Sequence, residues 1–120
     1  MTEAEIRRQL RELKTNLSSY KNEKQKYTNG QTYLNDVIQY LKTAKGRIPN
    51  LESQLNLSFV IKQQIACKDS IENIEDYLQN TIKSLNSINS SISTQIRTLI
   101  RLIERTESRI FTLESKLPLL

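Results

Sequence analysis

Ile6, Leu10, Leu13, Leu17, Tyr20, Lys24, Tyr27, Gln31, Leu34, Ile38, Leu41, Lys45 and Ile48 stand four and three residues apart in strict alternation. Ten of these thirteen positions are apolar or Tyr. A 3.5-residue repeat keeps one stripe of a helix facing a neighbour, so this pattern predicts a helix packed lengthwise on a partner helix. At 1.5 Å per residue, Ile6 to Ile48 would span about 63 Å. Asn29-Gly30 elsewhere signals a turn. Here the register runs straight across it, and the helix is expected to continue.

Composition agrees with long helices. Among 120 residues there are only two Gly and two Pro, the residues that most disfavour a helix interior. Hydrophobic residues make up 37 % and charged ones 26 %, with no Trp. That is too apolar for a disordered tail and too poor in aromatics for a thick globular core.

The chain has no His and a single Cys, Cys67. No internal disulfide can form. Structural zinc sites and His-dependent catalytic triads need residues that are not there. Glu72, Glu75 and Asp76 cluster without a His or a metal-ligand set and are expected on a solvated helix surface. Cys67 lies near the apolar stripe and is expected as a small packing residue rather than a nucleophile. No phosphate-cradling loop is present. The expectation is a protein that is not an enzyme and carries no cofactor and no metal.

No run of about 18 apolar residues could span a membrane. The start, MTEAEIRRQLREL, lacks the apolar stretch of a cleaved leader. A cytoplasmic protein is expected, exported, if at all, without a cleaved leader. The net charge is +5, and residues 1–50 hold ten Lys or Arg against five acids. These charges are scattered round the helix, and solubility accounts for them.

GRIPN, residues 46–50, is the strongest break. Gly46 could supply a left-handed C-cap, Pro49 interrupts the hydrogen-bond ladder, and Asn50 could cap the next element. Residues 51–58 fit either a short helix or a connector. The period resumes with Ile61, Ile65, Ile71, Ile74, Leu78, Ile82, Leu85, Ile88, Ile92, Ile96, Leu99, Ile103, Ile110, Leu113 and Leu117. The steps Leu85-Ile88-Ile92-Ile96 suggest a stutter. Pro118 is expected to end the helix. Ser and Asn in SLNSINSSIST disfavour an isolated helix, so this segment needs packing partners to be helical.

The predicted fold is all-α: one antiparallel helical hairpin domain over 1–120. It has a first helix at about 3–46, a connector at 47–57 and a second helix at about 58–117. With the turn near residues 46–57, Ile6 would lie opposite Arg97 or Thr98, and the last twenty residues would overhang. Two apolar arcs of roughly 160°, at residues 33–44 and 96–103, are wider than a two-helix seam needs. They make Tyr33, Val37, Tyr40, Ile96, Leu99, Ile100, Leu102 and Ile103 the candidate partner-binding residues. Tyr20, Tyr27 and Tyr77 are further candidate anchors, with Tyr20 and Tyr27 expected in the seam. The ladder Arg97, Arg101, Arg105, Arg109 is expected as a solvated flank balanced by Glu104, Glu107 and Glu114.

IENIEDYLQNTIKSLNSINSSISTQIRTLIRLIERTESRIFTLESKL, residues 71–117, resembles in pattern and composition the small helical partner proteins of LXG-domain toxins in Gram-positive type VII secretion. The resemblance implies a targeting chaperone that binds the N-terminal helical region of a larger toxin, often beside a second small partner. The related WXG-type hairpins carry Trp-x-Gly at the turn, which this chain lacks. Their export signal, an aromatic followed four residues later by an acid, is also missing. Tyr20, Tyr27, Tyr33, Tyr40, Phe59, Tyr77 and Phe111 are followed at that distance by Lys24, Gln31, Val37, Ala44, Gln63, Thr81 and Ser115. The resemblance then implies the binding partner, with another subunit carrying the signal. Two other functions fit the pattern. One is a self-assembling coiled-coil scaffold, with Lys24, Gln31 and Lys45 setting register. The other is a nucleic-acid-binding helical protein with a steep salt dependence.

Overall fold

Thr2 opens the first helix with a reciprocal cap. Its Oγ1 accepts from the Glu5 backbone N–H at 3.2 Å, and its own N–H reaches Glu5 Oε2 at 3.4 Å. This is the Thr-x-x-Glu box that satisfies two otherwise unpaired donors. Glu3 and Glu5 in the first turn also favour the positive end of the helix dipole.

The computed structural model describes residues 1–58 and 61–117, without the side chains of residues 56–58 and 62. The described residues are all helical apart from short joins: α1 Glu3–Gly46, α2 Ile48–Ser58 and α3 Ile61–Lys116. Phe59 and Pro118 lie outside the described residues.

The expected connector is helical. Arg47 alone separates α1 from α2. Its N–H bonds the Ala44 carbonyl at 3.2 Å, and the Leu51 N–H bonds the Arg47 carbonyl at 3.2 Å. Pro49 is the second residue of α2, where its missing N–H would have had no helical partner. Asn50 lies inside α2 and is not its cap. No glycine takes a positive φ, so Gly46 forms no left-handed cap. Gly30 sits in mid-helix as expected.

All thirteen seam positions from Ile6 to Ile48 are buried or half-buried. From Leu78 onward the inward stripe runs through Leu78, Ile82, Leu85, Asn89, Ile92, Ile96, Leu99, Ile103, Thr106, Ile110, Leu113 and Leu117. They alternate by four and three without interruption, so the expected stutter does not occur. Asn89, not the exposed Ile88, takes the seam position. Ile61, Ile65 and Ile74 were also expected on the stripe and are exposed.

Several hydroxyls bond back into their own helix. Thr15, Thr28, Thr43, Thr81, Thr98 and Thr112 each donate to the carbonyl four residues earlier, at 2.8–3.1 Å. The buried Thr106 does the same to Leu102 at 2.7 Å. That bond satisfies its polar group inside the seam.

Two compact units divide the chain: unit 1 is Met1–Gln31 with Ser91–Leu120, and unit 2 is Thr32–Ser90. In unit 1, Ile6, Leu10, Ile110 and Leu113 form an apolar cluster, with Leu13, Leu17 and Leu117 packed against it. Lys14 pairs with Glu114 at 3.1 Å, and Gln31 donates to Ser93 at 2.6 Å. The expected overhang of the last twenty residues is therefore incorrect. Ile6 meets the cluster around residue 110, because helix continues through 48–58 where a turn was expected. In unit 2, Ile38, Ile48, Ile71 and Ile82 are buried. Asn89 donates to Asn35 at 2.9 Å, and Lys45 donates to Gln79.

Candidate interaction surface

The two units differ in chemistry. Unit 1 holds twelve Lys or Arg against seven acids, and unit 2 holds six of each, so the whole net charge of +5 lies in unit 1. Exposed apolar side chains are distributed the other way. Among the described residues, unit 1 shows Met1 and Phe111. Unit 2 shows Tyr33, Tyr40, Leu51, Ile61, Ile65, Ile74, Tyr77 and Ile88. Scattered exposed apolar residues are ordinary, but a concentration on one region of no net charge marks an interaction site.

The heptad register explains which side chains remain outside. On α1, Leu34, Ile38 and Leu41 turn inward, so Tyr33 and Tyr40, seven residues apart, share one flank. They are 72 % and 75 % exposed. Val37 and Ala44 stand beside them, half-buried. A shallow groove runs past Tyr40, bounded by Asp36, Gln39, Thr43, Ala44 and Arg47. On α3, Ile74 and Tyr77 stand on one flank, and Ile88, three turns further, returns to it.

The candidates in the arc at residues 96–103 are placed differently. Leu99 and Ile103 are buried inside unit 1. Ile96, Ile100 and Leu102 are half-buried beside them. The wide apolar arc there is largely consumed by the chain's own packing, and an incoming helix would not find Leu99 or Ile103 accessible. Of the expected partner-binding residues, Tyr33 and Tyr40 are the exposed ones, with Val37 at the edge. Ile74 and Ile88 were expected in the seam. Extending the clean register of Leu99 and Ile103 backwards by sevens reaches Ile92, Leu85 and Leu78, and would have set both outside. Tyr20 and Tyr27 are half-buried seam residues.

Two of the polar seam residues of α1 have side-chain partners within the chain. Gln31 bonds Ser93, and Lys45 bonds Gln79. Arg97, Arg101, Arg105 and Arg109 are all exposed. A second groove in unit 1 is lined by Arg7, Leu10, Arg11, Lys14, Glu114 and Leu117, and its charge is partly cancelled by the Lys14–Glu114 pair. Among the described residues no group of three or more His, Cys, Asp or Glu could hold a metal ion, and no helix is long and apolar enough to cross a membrane. Compared with known family models, curated proteins and solved structures, the chain matches none.

Proposed function

We propose that the protein is a non-enzymatic helical adaptor, a targeting chaperone whose α1 and α3 are the arms of an antiparallel hairpin. The opposite residue order of the paired side chains within each unit supports the hairpin. One observation carries the functional reading: the exposed aromatic and aliphatic side chains gather on unit 2, which has no net charge. The mechanism is burial of that flank against helices of a larger protein. Tyr33, Tyr40 and Tyr77 are its anchors, since Tyr combines a large apolar face with a polar tip. In the form implied by the resemblance of residues 71–117, the partner is the N-terminal helical region of an LXG-domain toxin. The adaptor acts in the cytoplasm, beside a second small partner, and keeps the toxin competent for type VII export.

The test is co-purification of the chain with the N-terminal helical region of an LXG toxin made in the same cell. The expected result is a stable complex that is lost in the Tyr33→Glu, Tyr40→Glu double variant while circular dichroism stays unchanged. Ile103→Asp is a poor probe, because that side chain is buried in unit 1. Absence of any complex with the wild-type chain overturns the toxin reading. Wild-type binding by the double variant overturns the proposed surface.

A further inference from the structure

Every charged residue near a two-fold axis meets its own copy and is repelled by it, at about 1 kcal/mol at 4 Å in water and about 4 kcal/mol near a protein surface. A face that pairs with itself therefore keeps single charges away from the axis, while charges of opposite sign can meet across it away from the axis. Unit 2 has such a face. On α1 it runs Tyr33, Val37, Tyr40, Ala44, in steps of four, three and four. On α3 it runs Ile74, Tyr77, Thr81, Ser84, Ile88, in steps of three, four, three and four. No position in either row is charged, and Asp36 and Arg47, which border the groove at Tyr40, are of opposite sign. Its polar groups are hydroxyls, which both donate and accept and so can bond to copies of themselves.

Both rows lie on one side of unit 2. Asn35 reaches Asn89 and Gln79 reaches Lys45, so Asn35 and Gln79 mark one flank of the helix pair. Tyr33 and Tyr77 each precede one of these markers by two residues, about 200° of helix rotation. The same rotation on two antiparallel helices leads to the same side, here the side opposite the hydrogen bonds.

The exposed area suits a pairwise interface. Tyr33, Tyr40 and Tyr77 are 72 %, 75 % and 70 % exposed. At about 200 Å² per Tyr side chain they offer about 400 Å² per copy. Two copies would bury about 800 Å² of tyrosine surface, and the half-exposed Ile74 and Ile88 carry the total to about 1,000 Å². That is the scale at which a specific interface begins.

We infer that the chain on its own forms a symmetric dimer in which the Tyr33/Tyr40/Tyr77 flank of unit 2 packs on the same flank of a second copy. The inference rests on the reading of that flank as the adaptor's interface. It makes the dimer the resting form that a larger partner must open. Light scattering coupled to size exclusion, run on the full chain over a range of concentrations, reads the mass. The expected result is twice the mass of one chain, falling towards one chain on dilution. Tyr40→Glu and Tyr77→Glu place like charges face to face. Each is expected to raise the dissociation constant at least about tenfold with helicity unchanged. Tyr40→Phe keeps the ring and Phe111→Glu alters unit 1; both are expected to leave the dimer intact. A single-chain mass at every concentration overturns the inference, as does a dimer that survives both Tyr→Glu variants or is removed by Phe111→Glu. Toxin capture by a chain that is always monomeric would sink the dimer and leave the adaptor standing.

Discussion

Gln31 Nε2 donates to Ser93 Oγ at 2.6 Å, joining side chains 62 positions apart in sequence. Gln31 sits in the seam of α1, and Ser93 is half-buried at the edge of the α3 stripe beside Ile92. A polar pair at an apolar seam contributes little net stability while favouring one alignment. A double-mutant cycle of Gln31→Ala with Ser93→Ala, measured by urea unfolding, is expected to give a coupling of about 0.5–1.5 kcal/mol. Strictly additive losses would mean the two side chains act independently in solution.

Leu113 and Phe111 test how sharply α3 divides inside from outside. Leu113 is fully buried, and Phe111 is 73 % exposed. Leu113→Ala removes atoms from the centre of the unit 1 cluster and is expected to cost about 2–5 kcal/mol. Phe111→Ala is expected to stay within about 0.5 kcal/mol. Guanidinium unfolding of both variants checks the contrast, and equal losses would contradict the placement.

Asn89 occupies a seam position that an apolar residue would otherwise fill. Asn89→Leu restores an apolar stripe and removes the bond to Asn35. The expected outcome is a gain of about 1 kcal/mol, or roughly 4 °C in the thermal midpoint. A second expected effect is looser choice of alignment, seen as mixed masses by light scattering. A lowered midpoint would show that the Asn35–Asn89 bond outweighs the apolar contact.

Gly30 stands in the interior of α1 with nothing within 4 Å of where a Cβ would be. Gly30→Ala should therefore meet no clash and reduce the freedom of the unfolded chain. Stability is expected to rise by about 0.5–1 kcal/mol. The readout is a higher urea midpoint at an unchanged slope. A loss would mean that this stretch of α1 departs from helix.

The first helix was legible because its seam keeps the four-three alternation from Ile6 to Lys45 without a slip. The helix is also as long as the pattern that encodes it. The region after Gly46 was not legible, because Gly, Pro and Asn are strong punctuation only when their position in a helix is known. The break at Arg47 is real but one residue long, and α2 follows with Pro49 in its first turn. Taking the break for a turn displaced the expected pairing, and the false overhang came from that error. Between Leu78 and Ile92 the difficulty was chemical. Ile88 and Asn89 are neighbours, and apolarity alone selects the wrong one. Only the register inherited from Leu99 and Ile103 decides for Asn89. On the surface, Tyr33 and Tyr40 stood out as aromatics placed off the seam. Leu99 and Ile103 widened an apolar arc that the chain itself consumes. Burial, rather than arc width, separates an anchor from a packing residue.

The uneven charge of the two units also governs adsorption. A sheet of fixed negative charge, whether a cation-exchange bead or an anionic surface, draws in unit 1 and has no net pull on unit 2. A molecule captured in this way is held through the charge of its cationic unit alone. Salt near 1 M, where electrostatic reach shrinks to about 3 Å, would release it.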